Sequence, residues 1–163
     1  MTYSEQIKNC IQNYLDKNEW YYTFDEEDIF FRAGIKIDGK LSRCDLIIDI
    51  GKSFYLVYAK IALSADPNNI NAVSEYLHRA NFGLKLGSFE LDHSDGEIRY
   101  KMYVDCGDDC DCMPSESVIR RSLEMPASML EIYGDGLMRV LLGVATPEEA
   151  IEEAERKDDE KKE

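Results

Sequence analysis

The chain has 163 residues, with 33 acidic and 19 basic side chains and a formal net charge of −14. Because nucleic acids and anionic membranes are themselves negative, this charge argues against an electrostatic grip on either of them. Hydrophobic residues make up 44% of the chain, so it has enough apolar surface for the packed core of one ordinary domain, and wholesale disorder is excluded.

The chain begins with a segment typical of an amphipathic helix. Ser4 is suited to cap its N-terminus, and apolar residues then recur at spacings of three and four up to a predicted end near Asn18. The short aromatic segment 21–24 follows. Its pattern leaves open whether it is an edge strand or an entry to the next strand.

Three further strands are predicted before the middle of the chain. Apolar and polar residues alternate in 29–37 and again in 44–50, as in strands with one buried face. Asp38-Gly39 between them predicts a two-residue hairpin turn. The segment 53–61 is apolar on both faces, which predicts a central strand that is covered on both sides.

A second helix and a hairpin are predicted in the middle of the chain. Asp66-Pro67 is a strong helix start, with Asp66 as the cap and Pro67 at the first helical position, and Gly87 lies near the predicted end. The alternation then resumes in 89–91 and 98–104, on either side of a turn rich in Asp and Gly.

The last third of the chain predicts helices. One runs from about Ser115 to Glu124 and ends because Pro126 would cost it a backbone hydrogen bond, and a further helix follows. Thr146 is suited to cap a last helix. Beyond Arg156 the chain is almost all charge, so we expect it to fray.

The predicted order of elements, α-β-β-β-α-β-β-α, is typical of an α+β fold in which an antiparallel sheet of five to six strands packs against helices. Short hairpins require antiparallel pairing, so a doubly wound parallel sheet is excluded. We predict one domain over residues 1–145 and a charged C-terminal helix and tail over residues 146–163.

Three runs of residues carry a recognisable pattern: 81–92 (NFGLKLGSFELD), 95–100 (DGEIRY) and the closing run 143–151 (GVATPEEAI). The pattern resembles the YbjN family, whose members share a helix that ends in Asn and a Gly before a Phe-x-Leu/Val-Asp strand. A short turn then leads into a strand with basic and aromatic residues. The resemblance covers about residues 3–152 and identifies a YbjN-like domain.

The resemblance to the YbjN family implies a fold similar to that of type III secretion chaperones. Those chaperones are small, acidic, cytoplasmic proteins, often homodimers, that hold unfolded stretches of a client protein. YbjN proteins themselves are described as bacterial sensory transduction regulators, and the family has no catalytic residues to carry over to this sequence. The resemblance therefore implies a binding protein rather than an enzyme.

An acidic, cysteine-rich segment follows the last predicted strand and departs from the YbjN pattern. Its Cys106, Cys110 and Cys112 could bind a thiophilic cation such as zinc or form a reversible disulfide. The spacing Cys-x3-Cys-x-Cys is not a standard zinc motif, and the neighbouring carboxylates disfavour thiolates by like-charge repulsion. We therefore predict a surface loop of reduced cysteines without a metal site. Cys10 and Cys44 lie on apolar faces and are predicted to be core residues.

No catalytic constellation or cofactor motif stands out in the sequence. His78 lies on the polar side of a predicted helix and His93 in a hairpin turn, and neither has a nucleophile motif nearby. No glycine-rich phosphate loop follows a strand. Arg99, Lys101 and Tyr103 on one strand face could stack bases, but the net charge argues against a nucleic-acid partner. We predict no enzymatic activity, no catalytic residues and no cofactor.

The sequence also bears on the cellular compartment. The first six residues contain neither the basic region nor the apolar core of a signal peptide, so we expect none. No uncharged apolar run approaches the roughly 18 residues of a membrane span. Five cysteines in a chain without an export signal are most simply reduced thiols. These observations predict a cytoplasmic protein without a membrane partner.

Together these patterns favour a non-enzymatic cytoplasmic protein-interaction module, chaperone-like or regulatory, that binds an unknown client protein. The alternative is a metal- or redox-responsive regulator that uses the cysteine loop 106–112. Phe30, Ile47 and Tyr103 are apolar residues on nominally polar strand faces, a pattern typical of an interface or of a second covering layer. We expect the interface, in a homodimer with two-fold symmetry.

Overall fold

The structure, a computed structural model, describes residues 3–162 and forms one six-stranded sheet with four α-helices. The elements in chain order are α1 (Glu5–Lys17), β1 (Tyr22–Asp25), β2 (Phe30–Lys36), β3 (Arg43–Ile50), β4 (Phe54–Ser64), α2 (Ile70–Gly83), β5 (Ser88–Leu91), β6 (Glu97–Asp105), α3 (Glu116–Leu141) and α4 (Pro147–Lys162). The strand order is β1-β2-β3-β4-β6-β5, and every neighbouring pair is antiparallel. This architecture confirms the predicted α+β class, with β1 as an edge strand.

The sheet buries one face beneath the helices. Alternate strand residues point into the core, and several of them, including Phe31, Leu46, Tyr55 and Tyr100, are completely buried. α1, α2 and α3 bury their apolar stripes in the same core, and α4 packs on the outer side of α2 and α3. None of the helices in residues 3–162 combines the length and the apolar character that a membrane crossing needs.

The segment that carries the resemblance to the YbjN family connects α2 to β5. The side-chain amide of Asn81 donates to the backbone oxygen of Phe89 (2.9 Å), and its side-chain oxygen accepts from the backbone N–H of Phe89 (2.7 Å). Gly87 has φ +70°, and a Cβ at this position would lie 2.6 Å from the backbone oxygen of Lys101. The Asn and the Gly of the pattern therefore hold the end of α2 against the sheet.

α2 begins at Ile70 and not at Pro67, so the predicted helix start is wrong. Asp66 and Asn69 form a closed turn instead. The side-chain oxygen of Asn69 accepts from the backbone N–H of Asp66 (2.8 Å), and the Asp66 carboxylate accepts from the backbone N–H of Asn69 (3.2 Å). This turn satisfies the polar groups that a helix cap would otherwise satisfy, and it delays the helix by three residues.

The β2–β3 hairpin has a six-residue loop, 37–42, and not the predicted two-residue turn. Two carboxylates of α3 hold this loop by its backbone. Glu131 accepts from the N–H of Asp38 (3.0 Å), and Asp135 accepts from the N–H of Lys40 (2.7 Å). Contacts with a helix that is distant in sequence therefore stabilise a longer loop than local turn preferences predict.

α3 is continuous from Glu116 to Leu141, so the predicted break at Pro126 is wrong. A proline inside a helix costs roughly 3 kcal/mol, because it removes a hydrogen bond and crowds the preceding turn. Leu123 and Leu130 on the same side of α3 are buried in the core. Each buried large apolar side chain contributes about 1.5–3 kcal/mol, so burial of this face outweighs the local cost of the proline.

α4 extends to Lys162, beyond the point at Arg156 where the charge pattern predicts fraying. Ion pairs one turn apart join Glu153 to Lys157 (2.6 Å) and Arg156 to Glu160 (3.1 Å). Each pair of this kind stabilises a helix by roughly 0.2–0.5 kcal/mol. Ion pairs between acidic and basic side chains one turn apart therefore stabilise the end of α4, where the high charge density predicts fraying.

Candidate protein-interaction surface

The face of the sheet opposite the helices carries side chains that are all exposed or half-buried, and we call it the open face. This corrects the prediction that β4 is covered on both sides, because only its inward residues are buried. The open face consists of Thr23, Asp25, Phe30, Arg32, Gly34, Lys36, Arg43, Asp45, Ile47, Asp49, Phe54, Leu56, Tyr58, Lys60, Ser88, Glu90, Glu97, Arg99, Lys101, Tyr103 and Asp105.

Six apolar or aromatic side chains form the middle of the open face. We call them the apolar centre: Phe30, Ile47, Phe54, Leu56, Tyr58 and Tyr103. Ile47 lies opposite Tyr58 in the sheet register, and Leu56 lies opposite Tyr103. The rings of Phe54 and Tyr103 stack with their centroids 5.3 Å apart, and Tyr103 is 56% exposed. The three apolar residues that the sequence places on polar strand faces thus all belong to one surface.

Phe54, Leu56 and Tyr58 of the apolar centre are not among the interface residues predicted from the sequence. The signal for them is the apolar character of both faces of segment 53–61, which predicts a well-covered central strand and more apolar surface than one sheet face can cover. The structure instead leaves these three side chains half-buried on the open face. The apolar character of segment 53–61 therefore adds Phe54, Leu56 and Tyr58 to the candidate interaction surface.

A network of ion pairs flanks the apolar centre on β4, β5 and β6. Glu90 accepts from Nε of Arg99 at 2.8 Å and also bonds Lys101, while Glu97 pairs with Lys60 and with Arg99. Burial opposes ionisation of Glu90, but the hydrogen bonds from Lys101 and Arg99 outweigh burial and lower the pKa of this carboxyl. The network satisfies its own charges, so it is better suited to border an interface than to bind a ligand.

Asp49 and Arg32 are the two charged residues of the open face that stand out by their surroundings. Asp49 is half-buried between Phe30 and Leu56 in the sheet register, and burial raises the pKa of its carboxyl. The guanidinium of Arg32 lies 5.7 Å from the centroid of the Phe30 ring. Within residues 3–162 neither side chain has an ion-pair partner closer than 4 Å. Asp49 and Arg32 therefore lack a partner of opposite charge among the described residues, as do Asp25, Asp105 and Lys36 nearer the margins of this face.

The open face is electrically balanced although the chain is strongly acidic. Its acidic residues are Asp25, Asp45, Asp49, Glu90, Glu97 and Asp105, and its basic residues are Arg32, Lys36, Arg43, Lys60, Arg99 and Lys101. Six acidic and six basic side chains give no net charge, whereas the whole chain carries −14. The excess negative charge therefore lies outside this surface.

The cysteine loop divides into a buried and an exposed part, which corrects the prediction of a uniform surface loop. Cys106 is completely buried, because its backbone N–H bonds the oxygen of Ser53 (2.8 Å) and continues the inward alternation of β6. Cys110 is half-buried, with its Sγ 3.0 Å from Oγ of Ser4, and Cys112 is exposed. The alternation that runs through 98–104 extends to Cys106 and could have placed it in the core.

Nothing in the arrangement of the described thiols points to metal or redox chemistry. Burial, with smaller contributions from neighbouring thiols and Asp105, raises the pKa of Cys106 to about 11, so its thiolate is scarce at neutral pH. Within the described residues, no three His, Cys, Asp or Glu side chains are placed to hold a metal ion together. Cys44 is buried as predicted, whereas Cys10 is only half-buried at the edge of the core. No observation here favours the metal- or redox-responsive alternative.

The two histidines are both exposed and lie in separate elements. His78 lies on the outer side of α2, and His93 lies in the turn between β5 and β6. The structure thus places each where the sequence predicts it.

Comparison with known proteins identifies the fold but not a family. No family model matches the sequence, and no curated protein matches it either. The structure is similar to the crystal structure of YbjN from E. coli, which is described as a proposed transcription regulator. The TM-score is 0.57 and the sequence identity 10%, over 82% of this chain and 87% of YbjN. The chain therefore has a YbjN-like fold, as the sequence resemblance implies.

Proposed function

We propose that the protein is a non-enzymatic protein-interaction module of the YbjN family, regulatory or chaperone-like, that works in the cytoplasm as a homodimer and binds a client protein. The fold similarity to YbjN and the structural roles of Asn81 and Gly87 support the family assignment. The net negative charge of the chain favours protein partners over nucleic acids and anionic membranes, which are themselves negative.

The apolar centre of the open face is the observation that carries this proposal. Contiguous apolar side chains at the surface are typical of protein–protein interfaces, where aromatic residues are enriched and charged residues surround the core of the contact. The apolar centre combines four aromatic rings with Ile47 and Leu56, and the ion-pair network lies beside it. This arrangement matches the anatomy of an interface.

The balanced charge of the open face favours a second copy of the chain as its occupant. Two chains of −14 repel each other, so association is least opposed through a surface without net charge. The face is also self-complementary: a two-fold axis can bring Asp49 of one copy to Arg32 of the other, twice over. Such pairs would give both side chains a partner of opposite charge, which neither has among the described residues.

Substitution of Ile47 by Lys tests this assignment. Ile47→Lys adds a charge in the apolar centre, so we expect the variant to be a monomer, while the wild type has about twice the 18.7 kDa chain mass. Asn71→Lys is the matched control, because it adds the same charge at an exposed position of α2, away from the open face. Light scattering at micromolar concentration distinguishes these outcomes. A monomeric wild type at the highest soluble concentration would remove the dimer from the proposal, and a dimeric Ile47→Lys variant would remove the open face as its interface.

A further inference from the structure

A groove lies on the helical side of the molecule, between α3, the end of α4 and the connection from α2 to β5. Its volume is about 480 Å³, within the roughly 300–1,000 Å³ of ligand-binding pockets. We call it the helix-side groove. Its apolar floor is formed by Leu84, Met125, Met129, Ile132 and Tyr133.

Towards the start of α3 the apolar floor is followed on the same side of the helix by Val118, with Arg121 and Ser122 between Val118 and Met125. Val118, Met125, Met129 and Ile132 follow each other along α3 at intervals of seven, four and three residues, which places them in a stripe on one side of the helix. Val118 is 41% exposed, and the other three are half-buried. From Val118 to Ile132 the stripe extends about 21 Å at 1.5 Å per residue. An elongated ligand fits this surface better than a small molecule does.

The walls of the groove give it an electrostatic preference. Glu155, Asp158 and Asp159 of α4 line one wall. Lys85 on the opposite wall is the single basic residue among the lining residues in the described part of the chain. An apolar floor beside a carboxylate wall is complementary to a segment with apolar side chains on one face and Lys or Arg on the other.

We propose that the helix-side groove binds a cationic amphipathic helix of the client protein. Such a helix would lay its apolar face along the stripe of α3 and place its basic side chains against the α4 wall. Methionine side chains are flexible and polarizable, so Met125 and Met129 can adapt to anchors of different shape. The inference rests on the proposed function for the existence of a client, and it assigns the client's chemistry and its binding surface.

Methyl NMR of the full chain tests the proposal, because the protein has only six methionines. The probe is a synthetic amphipathic peptide of Leu and Lys of about 14 residues, which as a helix matches the length of the stripe. We expect saturable shifts of the ¹³C-methyl signals of Met125 and Met129, and no shift at Met102 on the buried sheet face. A peptide of the same pattern with Glu in place of Lys should produce no shift.

Two substitutions separate the groove from general attraction to an acidic protein. Met129→Gln keeps the side-chain length and the net charge but introduces a polar amide into the apolar floor. We therefore expect the affinity for the Leu–Lys peptide to fall about tenfold. Met113→Gln, at a methionine that does not line the groove, is the matched control and should leave the affinity unchanged. Equal losses in both variants would overturn the proposal, as would unshifted Met125 and Met129 signals.

The proposed dimer through the open face and the proposed peptide binding in the helix-side groove can be tested separately. Ile47→Lys should leave the peptide-induced shifts of Met125 and Met129 intact, since Ile47 lies on the opposite side of the sheet. A wild type that is a monomer but shows the shifts removes only the homodimer, and a wild type that is a dimer but shows no shifts removes only the groove. Shifts of Met125 and Met129 on raising the protein concentration without peptide would assign the groove to self-association and overturn its role in client binding.

Discussion

Cys106 illustrates how position in a strand outweighs the character of neighbouring residues. The residues around it are acidic and point to a solvated loop, yet its side chain is completely buried because it continues the inward alternation of β6. Cys112, six residues later, is exposed. Two cysteines of one short segment therefore have different physical roles.

Cys106→Ser should destabilise the protein, because a hydroxyl replaces a weakly polar thiol in a buried position. Burial of a hydroxyl without a compensating hydrogen bond costs about 1–3 kcal/mol in proteins. Cys112→Ser is the matched control and should change the free energy of unfolding by less than about 0.5 kcal/mol. Urea denaturation of the two variants measures this difference. Equal stability of Cys106→Ser and the wild type would show that the alternation of β6 ends before Cys106.

Asp49 should make stability depend on pH. Burial raises the pKa of its carboxyl in the folded state, so the wild type loses stability as the pH rises from the unfolded-state pKa through the folded-state pKa. Asp49→Asn does not titrate, and we expect it to be more stable than the wild type at pH 7. The difference should vanish near pH 3, below the unfolded-state pKa of about 3.9.

Thermal denaturation, at a concentration at which light scattering shows a monomer, measures the effect of Asp49→Asn at the two pH values. Asp45→Asn is the control on the same strand and face, because Asp45 is exposed and pairs with Arg43 at 3.3 Å. It should not show the gain at pH 7. A stability difference for Asp49→Asn that is the same at both pH values would contradict the role of burial.

At the scale of elements, the packing of α3 against its neighbours depends on a glycine. A Cβ at Gly136 would lie 2.4 Å from Oη of Tyr76 and 3.1 Å from the backbone oxygen of Ala150 in α4. Tyr76 cannot easily retreat, because it is completely buried and its hydroxyl donates to the backbone oxygen of Tyr133 (2.7 Å). α2, α3 and α4 therefore meet at a point that admits no side chain.

Gly136→Ala should destabilise the protein by about 1–3 kcal/mol through overpacking, although alanine favours a helix interior by about 1 kcal/mol over glycine. Gly83→Ala is the matched control: Gly83 ends α2, and a Cβ there would meet nothing within 4 Å. We expect it to leave the free energy of unfolding unchanged or to raise it slightly. If chemical denaturation gives the same change for both variants, the three helices do not meet as closely as the structure indicates.

At the scale of the whole molecule, charge is distributed unevenly. The chain carries −14, while the open face carries none. Two approaching chains therefore repel each other through their remaining surfaces and not through the proposed interface. We therefore expect the ionic strength to affect how tightly two chains associate.

Salt should strengthen the proposed homodimer. Raising the ionic strength from about 10 mM to about 150 mM shortens the Debye length from roughly 30 Å to roughly 8 Å, which screens the repulsion between two acidic chains. Desolvated pairs within the interface are screened much less. We expect the dimer Kd from analytical ultracentrifugation to decrease several-fold, while Ile47→Lys remains a monomer at both salt concentrations. A Kd that rises with salt would mean that exposed ion pairs, and not apolar contact, hold the dimer together.

Sequence patterns predicted the elements whose signals are local. Ser4 caps α1 as expected, with its Oγ accepting from the backbone N–H of Ile7 (3.3 Å), and α1 ends at Lys17 beside the predicted Asn18. The hairpin of β5 and β6 also follows its alternation, with Ile98 and Met102 buried. Periodicity and caps are properties of neighbouring residues, so they can be recognised without knowledge of the rest of the fold.

Tertiary structure decided the features that depend on residues far apart in the chain. The helix passes through Pro126 because burial against the sheet compensates a local cost, and the β2–β3 loop is held by Glu131 and Asp135 of α3. The candidate site has the same origin. The sequence alone determined that segment 53–61 is apolar on both faces, but only the packing of the helices decided which face is buried and which forms the open face. The side chains of a strand point to two opposite faces whichever face is buried. The helices that pack on the sheet decide which of the two faces is buried.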